Sequence, residues 1–230
     1  MGEHDGHRRR MRQRFIKHGL DSFEDHNILE LLLFYAQPRR DTNGLAHRLM
    51  DAFGSLAGVF EATPEELMTV EGMGESAAAL IHLVPAAARR YLMSREETGR
   101  ILDTVEDVGR YLVPRFMNCR TEVVYLLCLD AKLMVLDCAQ VGSGGITSAR
   151  LDVRHIVQTA LMRNAKYAVL AHNHVSGIAL PSREDREATD LVRQALAMVD
   201  VELIDHIIVA GDDFVSLADD GYLNTKKADG

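Results

Sequence analysis

The chain has 230 residues, of which 47% are apolar, and its net charge is −8. This length allows one large or two small domains with hydrophobic cores, and the negative charge argues against a protein that coats nucleic acid. No apolar run approaches membrane-spanning length, and the arginine-rich beginning lacks the apolar region of a signal peptide, so we expect a cytoplasmic protein.

Basic residues are concentrated near the start of the chain. Arginines and one lysine recur from Arg8 to Lys17, although residues 1 to 95 together carry a net charge of only −1 and residues 96 to 230 carry −7. The basic cluster is a candidate arm for binding phosphate groups, and a solvated helix face is an equally good interpretation of it.

The first part of the chain is predicted to be helical. One helix begins at Thr63 as N-cap with Pro64 at its first position, and the next begins after the glycines of Gly72-Met73-Gly74. Leucine spacing and turn residues place the helices at residues 26–35, 43–53, 63–70 and 75–93.

The hairpin between the last two of these helices is similar to the helix-hairpin-helix used on nucleic-acid backbones. Its glycines, Gly72 and Gly74, let the chain approach a phosphate, and the unpaired amides of the following helix point at it. However, Glu71 and Glu75 flank the hairpin and repel phosphate. We therefore expect weak DNA binding without sequence preference through residues 1–95, and a packing or protein-docking hairpin is an equally good alternative.

The polar stretch from Ser94 to Arg100 is predicted to link residues 1–95 to a second domain at residues 101–223. Its pattern predicts a helix, two strands, a helix, a strand, a helix and two strands, which gives a three-layer α/β domain with a mixed sheet. This is too short for an (α/β)-barrel amidohydrolase. The three cysteines, an odd number without Cys-x-x-Cys spacing, indicate reduced cytosolic thiols: Cys119, Cys128 and Cys138.

The most informative stretch contains His172-Asn173-His174, directly after a predicted buried strand at residues 167–170. Side chains two apart on a strand share a face, so both imidazoles are directed at one point. Asp185 lies in the first turn of a helix that begins after Ser182, and a short loop brings it back over the strand end. Two imidazoles and one carboxylate leave a fourth tetrahedral position open for water, which is typical of catalytic zinc, although iron or manganese accepts the same ligands. Ser182 and Asp185 also fit a capping box, which is a structural role.

This pattern, His-x-His followed after seven residues by Ser-x-x-Asp, resembles the metal signature of the JAB1/MPN/Mov34 metalloenzymes. His172-Asn173-His174 with Ser176-Gly177 and Pro181-Ser182 resembles the RadC branch in particular. The resemblance covers almost the whole chain and includes the helical hairpin, Arg154 and Asp205-His206-Ile207-Ile208. Val175 departs from it, because the family usually has proline there, but no ligand is lost.

The resemblance implies a cytidine-deaminase-like JAB/MPN fold preceded by an all-α helix-hairpin-helix domain. It implies one zinc ion per chain, held by His172, His174 and Asp185. Glu122 matches the glutamate that takes a proton from the metal-bound water, and Ser182 matches a serine that donates a hydrogen bond to the developing oxyanion. For Glu122 the alternative is a solvated carboxylate at a strand end.

Together these residues predict a zinc-dependent hydrolase of the JAMM type, a metallopeptidase that cleaves peptide or isopeptide-like amide bonds in a peptide or protein substrate. The alternative is a DNA-associated protein or nuclease that uses the hairpin domain. Nucleases of the His-Asn-His type need a differently spaced histidine, and a nucleobase deaminase needs His-x-Glu with Pro-Cys-x-x-Cys, which is absent. A binding module without chemistry is disfavoured because no ligand is missing.

Overall fold

The computed structural model describes residues 3–38, 40–95, 99–144 and 151–223. The chain divides into two compact units, residues 1–88 and 89–230. The division falls within a long helix, ahead of the predicted linker from Ser94 to Arg100, of which residues 96–98 lie outside the described part.

The described residues of the first unit form helices joined by turns. The helices are α1 (Glu3–His18), α2 (Asp25–Ala36), α3 (Asn43–Phe53), α4 (Leu56–Glu61), α5 (Pro64–Leu67) and α6 (Glu75–Arg95), the last of which continues into the second unit. Apolar residues at helical spacing build its core, among them Leu29 and Leu33 from α2 and Leu45 and Leu49 from α3. The apolar periodicity that predicted these helices is therefore the face on which they pack.

The predicted N-cap at Thr63 is confirmed. Its hydroxyl accepts a hydrogen bond from the Glu66 amide at 3.1 Å, and the Glu66 carboxylate accepts one from the Thr63 amide at 2.7 Å. This reciprocal capping box satisfies two of the amides that a helix beginning leaves unpaired, and it stabilises a helix of only four residues.

Arg8 lies inside the first unit, although it belongs to the basic cluster that the sequence offers as a phosphate-binding arm. Its guanidinium donates to the carbonyl oxygens of Pro38 and Gln37 at 2.6 and 2.9 Å and also to that of Arg40. It also lies over the Phe34 ring, 4.7 Å from the centroid. A positive charge at the end of α2 complements the helix dipole there, so Arg8 caps α2 and is not available to a phosphate.

The hairpin at Gly72-Met73-Gly74 connects α5 to α6. Gly72 has a φ of +94°, a conformation that favours glycine. The Gln37 side chain donates to the Gly72 carbonyl at 2.8 Å, and Arg48 donates to the Glu71 carbonyl at 3.1 Å. The carbonyls of the hairpin are thus tied to α2 and α3, which gives it a packing role within the unit.

The second unit is an α/β domain. After α6 its elements are α7 (Val105–Phe116), β1 (Val123–Leu129), β2 (Val135–Ser143), α8 (Val153–Met162), β3 (Tyr167–Asn173), α9 (Arg183–Ala197), β4 (Glu202–Ala210) and β5 (Asp213–Ser216). The sheet has the order β2-β1-β3-β4-β5, with β3 and β4 parallel and the other neighbours antiparallel. The predicted mixed sheet is confirmed.

Helices cover both faces of the sheet. Alternate residues of β1 and β3, including Leu126 and Leu170, pack on one face with residues of α8 and α9. The intervening residues, including Leu127 and Val169, pack on the other face with residues of α7. Burial on both faces explains why β1 and β3 are continuous apolar runs, and the result is the expected three layers.

Candidate metal centre

The two histidines lie at the end of the central strand β3. His172 is in register with Val124 of β1 and with Ile208 of β4, so the strand continues beyond the predicted residues 167–170. The His174 amide donates to the Val209 carbonyl at 2.8 Å, which extends the ladder past the last strand residue. Because the backbone stays extended, His172 and His174 share a face and their ring centroids are 4.8 Å apart.

Asp185 reaches the two rings from the first turn of α9. Its Oδ1 lies 3.0 Å from His172 Nε2, and its Oδ2 lies 3.3 Å from His174 Nε2. The structure therefore brings together the three residues predicted as ligands, with one ligand atom of each within 4.8 Å of the others. His172 and Asp185 are buried, and His174 is partly exposed.

The donor atoms fit a divalent metal ion. Metal–ligand bonds of about 2.0–2.2 Å in a tetrahedral site separate the ligand atoms by about 3.3–3.6 Å, and the two imidazole nitrogens lie 3.0 and 3.3 Å from the Asp185 oxygens. His172 Nε2 is buried and makes no hydrogen bond to any residue that the structure describes, despite its distance from Asp185 Oδ1. A buried nitrogen without a partner is costly, and a cation between these atoms removes that cost.

The electrostatic environment of Asp185 favours its role as a metal ligand. Burial opposes ionisation of the carboxyl, but contacts with His172 and hydrogen bonds from Ser182 outweigh it, so the pKa of Asp185 is lowered. The Ser182 amide and hydroxyl donate to Asp185 Oδ2 at 2.7 and 2.6 Å. A carboxylate that stays ionised in a buried position is the form that binds metal.

Ser182 caps α9 and holds Asp185 at the same time. Its oxygen accepts from the Asp185 amide at 3.0 Å while its hydroxyl hydrogen goes to Asp185 Oδ2. A serine has one hydroxyl hydrogen to donate, so in this arrangement it serves Asp185. The capping box and the metal ligand, which the sequence offers as alternatives, are compatible uses of one carboxylate.

Glu122 precedes β1 and is partly exposed. Val124 is opposite His172 in the last recorded pair of the antiparallel ladder, and the same register continued by two residues would bring Glu122 to the side of His174. Residues two apart on a strand share a face, and this face is the one that carries both histidines. This position is therefore suited to a carboxylate that accepts a proton from water at the metal centre.

Asn173, between the two histidines, holds the backbone around Glu122. Its Oδ1 accepts from the Val123 amide at 2.8 Å, and its Nδ2 donates to the Thr121 carbonyl at 3.2 Å. We call this pair of hydrogen bonds the Asn173 clamp. It fixes the chain on both sides of Glu122 to the strand that carries the ligands.

Two further residues contact the ligands and have no predicted role. His206 Nε2 lies 2.8 Å from His172 Nδ1, and His206 Nδ1 lies 2.6 Å from the Thr189 hydroxyl. Complete burial is the main reason that the pKa of His206 is lowered well below its usual value. The signal in the sequence is a histidine within an apolar strand and a threonine four residues after Asp185 on one helix face.

These features define a three-layer α/β domain with a candidate metal centre at the end of its central strand. The family described as the RadC-like JAB domain matches residues 102–222, and the one described as UPF0758 N-terminal matches residues 6–79. The chain belongs to the RadC-like JAB family, with a UPF0758 N-terminal domain before it.

Relatives of similar length support this assignment. A UPF0758 protein of Bordetella petrii is 36% identical over 214 residues, which cover 93% of this chain and 95% of the relative. One from Bordetella parapertussis is 38% identical over 212 residues, covering 92% and 94%. One from Burkholderia thailandensis is 34% identical over 212 residues, covering 92% of this chain and 81% of the relative.

None of the helices in the described part of the chain is both long and apolar enough to cross a membrane.

Proposed function

We propose that this protein is a zinc-dependent hydrolase that cleaves peptide or isopeptide-like amide bonds. The observation that carries the proposal is the convergence of His172 Nε2, His174 Nε2 and the Asp185 carboxylate. In addition, the buried His172 Nε2 has no hydrogen-bond partner among the described residues. Three protein ligands leave a position open to water or substrate, as catalytic sites require. Family membership is consistent with it.

His172, His174 and Asp185 would hold a divalent metal ion, which would supply Lewis acidity and lower the pKa of water toward neutrality. The Glu122 carboxylate accepts a proton from the attacking water and later gives it to the leaving nitrogen. The nitrogen then leaves as a neutral amine. The Asn173 clamp fixes the backbone of this acid relative to the ligand strand. Ser182 orients Asp185, and its hydroxyl becomes an oxyanion donor only by releasing Asp185 Oδ2.

The metal is tested on the purified full chain by elemental analysis after mild chelation. We expect about one zinc ion per chain in the parent and a sharp loss in His172→Ala, His174→Ala and Asp185→Asn, because each removes one of three protein ligands. Asp185→Asn is preferred to alanine because an amide oxygen still accepts the capping hydrogen bonds. The matched control is Asp190→Asn, a partly exposed carboxylate on the same helix whose partners are Arg193 and Tyr222.

Hydrolysis is tested on fluorogenic peptide and isopeptide libraries, with single-stranded and duplex DNA in parallel. Glu122→Gln should keep the zinc and lose hydrolysis, because the amide keeps the shape of the side chain but cannot accept the proton. Loss of zinc in this variant would make Glu122 a ligand, and retained activity would remove it from the mechanism. Metal-dependent DNA cleavage without amide hydrolysis would select the nuclease alternative.

A further inference from the structure

The strongest unassigned feature is a buried chain of hydrogen bonds behind His172, through Asp185, Thr189 and His206, which we call the relay. It begins at the main-chain carbonyl of Asp185, which lies 2.5 Å from the Thr189 hydroxyl. From Thr189 it continues to His206 Nδ1 at 2.6 Å, and from His206 Nε2 to His172 Nδ1 at 2.8 Å. All four residues are buried, so each polar atom depends on its neighbour in this chain.

The direction of each hydrogen bond follows from counting hydrogens. A carbonyl oxygen only accepts, so the single hydroxyl hydrogen of Thr189 points to Asp185 and its oxygen is left to accept. His206 Nδ1 must then carry a hydrogen. In a neutral imidazole the other nitrogen is an acceptor, so His206 Nε2 accepts from His172 Nδ1.

The consequence for His172 is a fixed tautomer. With its hydrogen on Nδ1, the lone pair is on Nε2, the atom directed at the metal centre. In the opposite tautomer the hydrogen would occupy Nε2, 3.0 Å from Asp185 Oδ1, and the lone pair that a cation needs would be lost from this atom. His174 reaches the same state independently, because its Nδ1 lies 3.0 Å from the Ile178 carbonyl, which can only accept.

We propose that Thr189 and His206 are positioning residues that hold His172 as the Nδ1–H tautomer, so that its Nε2 is ready for the metal before the metal arrives. The inference rests on the proposed metal centre but not on hydrolysis. Partners of this kind orient a ligand ring and raise its affinity for metal. Here the orienting group is a histidine on β4, whose proton is set by a threonine on the helix that carries Asp185.

The first measurement needs no variant. Long-range ¹H–¹⁵N spectra of the metal-free full chain at pH 8, above the usual imidazole pKa of about 6.5, report which ring nitrogen carries the hydrogen. Signals are assigned by their loss in His172→Ala and His174→Ala. We expect both rings to be neutral with the hydrogen on Nδ1. A His172 ring that is protonated on Nε2, alone or together with Nδ1, overturns the proposal.

The second measurement uses a matched pair at Thr189. Thr189→Val keeps the shape but removes the acceptor, so His206 should move its hydrogen to Nε2 and drive His172 to the Nε2–H tautomer. Thr189→Ser keeps the hydroxyl and should behave as the parent. We expect zinc affinity, measured by competition with a chelator, to fall about ten- to a hundredfold in the valine variant alone.

An unchanged His172 tautomer in Thr189→Val, with zinc affinity within about twofold of the parent, would overturn the relay, whereas recovery in Thr189→Ser excludes a general packing defect. The two proposals fail in different ways. If the parent binds zinc with the expected tautomer but hydrolyses no amide, the proposed activity fails and the relay stands. If it hydrolyses amides with His172 in the other tautomer, the relay fails and the activity stands.

Discussion

The Ser182 hydroxyl is engaged twice by one residue, accepting from the Asp185 amide and donating to its carboxylate. Removing it should therefore affect helix stability and ligand orientation together. Ser182→Ala is expected to lose about 1 kcal/mol, which corresponds to about 4 °C in the unfolding midpoint of a domain of this size, whereas Ser182→Gly should lose only a few tenths.

Thermal unfolding by circular dichroism measures the stability difference, and hydrolysis by the same variants separates the two roles of Ser182. If glycine restores activity, the cap is what catalysis needs. If alanine and glycine are equally inactive despite different stability, the hydroxyl itself is needed as a donor. Equal midpoints for the two variants would contradict the capping contribution.

The thiols of Cys128 and Cys138 are expected to be inert. Burial raises the pKa of both to about 12, with Asp137 adding to the effect for Cys128 and Arg115 opposing it for Cys138. At pH 8 the thiolate fraction is then about one in ten thousand, compared with about a quarter for an unperturbed thiol.

The reactivity of the two thiols is measured by alkylation of the native protein with iodoacetamide, followed by mass spectrometry of its peptides. Cys128 and Cys138 should react about a thousandfold more slowly than in the unfolded chain. Rapid native labelling of either thiol would contradict the raised pKa on which the expectation rests.

At the scale of elements, α7 packs closely on β5 through Gly109. A methyl group added at this buried glycine would overlap the ring of Phe214. Glycine normally weakens a helix by about 0.5–1 kcal/mol relative to alanine, but here Gly109→Ala should destabilise the domain by about 1–3 kcal/mol through overpacking.

Denaturant unfolding of Gly109→Ala, Phe214→Leu and the double variant gives a test by thermodynamic cycle. The smaller side chain at position 214 should relieve the overlap. The double variant should therefore lose less free energy of unfolding than the two single variants lose together. Strict additivity would show that the two residues do not interfere.

Element positions were largely predictable because the local physical causes are present in the sequence. Thr63 and Ser182 cap helices because a hydroxyl at the right position pairs with an amide three residues later. The apolar runs of β1 and β3 reflect burial on both faces. The end of β3 was predicted too early because His172 is polar, and the ladder to β1 and β4 that makes it a strand residue is a tertiary effect.

The predicted ligands His172, His174 and Asp185 lie together, since alternation along a strand and a short return loop suffice to converge them. The roles of Asn173, Thr189 and His206 could not be predicted in the same way. Each contacts residues 17 to 52 positions away in sequence, and only the register of the sheet and the path of α9 decide such contacts.

At the scale of the whole molecule, Arg8 is buried in the first unit and stabilises its fold. Arg8→Ala removes the donor to three carbonyls and the contact with Phe34. We expect a loss of about 2 kcal/mol or more. Circular dichroism suits the measurement because the chain has no tryptophan. Arg9→Ala, at an exposed neighbour, should change stability little, and equal midpoints for the two variants would contradict the capping role.

DNA binding by the first unit, if it occurs, has a limited electrostatic source. Arg14 donates to Ser22 and lies over the Phe23 ring. Within the described part of the chain, the exposed cations of the cluster without such partners are Arg9, Arg10, Arg12 and Lys17. Four phosphate contacts give a slope of about −3.6 in log affinity against log salt, or about a hundredfold loss between 50 and 200 mM.

The full chain should therefore bind a short duplex weakly at low salt, with this slope, and reversal of the four charges should abolish binding without changing the unfolding midpoint. Fluorescence anisotropy measures both affinity and slope. A much steeper slope, or binding that survives charge reversal, would move the DNA site elsewhere. Absence of binding at low salt would favour a hairpin that docks a protein.

The Asn173 clamp also bears on how the metal centre exchanges its ion. It joins the beginning of β1 to the end of β3, so Glu122, His172 and His174 lie on one hydrogen-bonded block of sheet. Asp185 is connected to that block through residues 175–181, where Val175, Ile178 and Leu180 are 56%, 59% and 69% exposed and so contribute little packing. The packing around the ligands is therefore weakest at this loop, and we expect an ion to enter and leave the centre on its side.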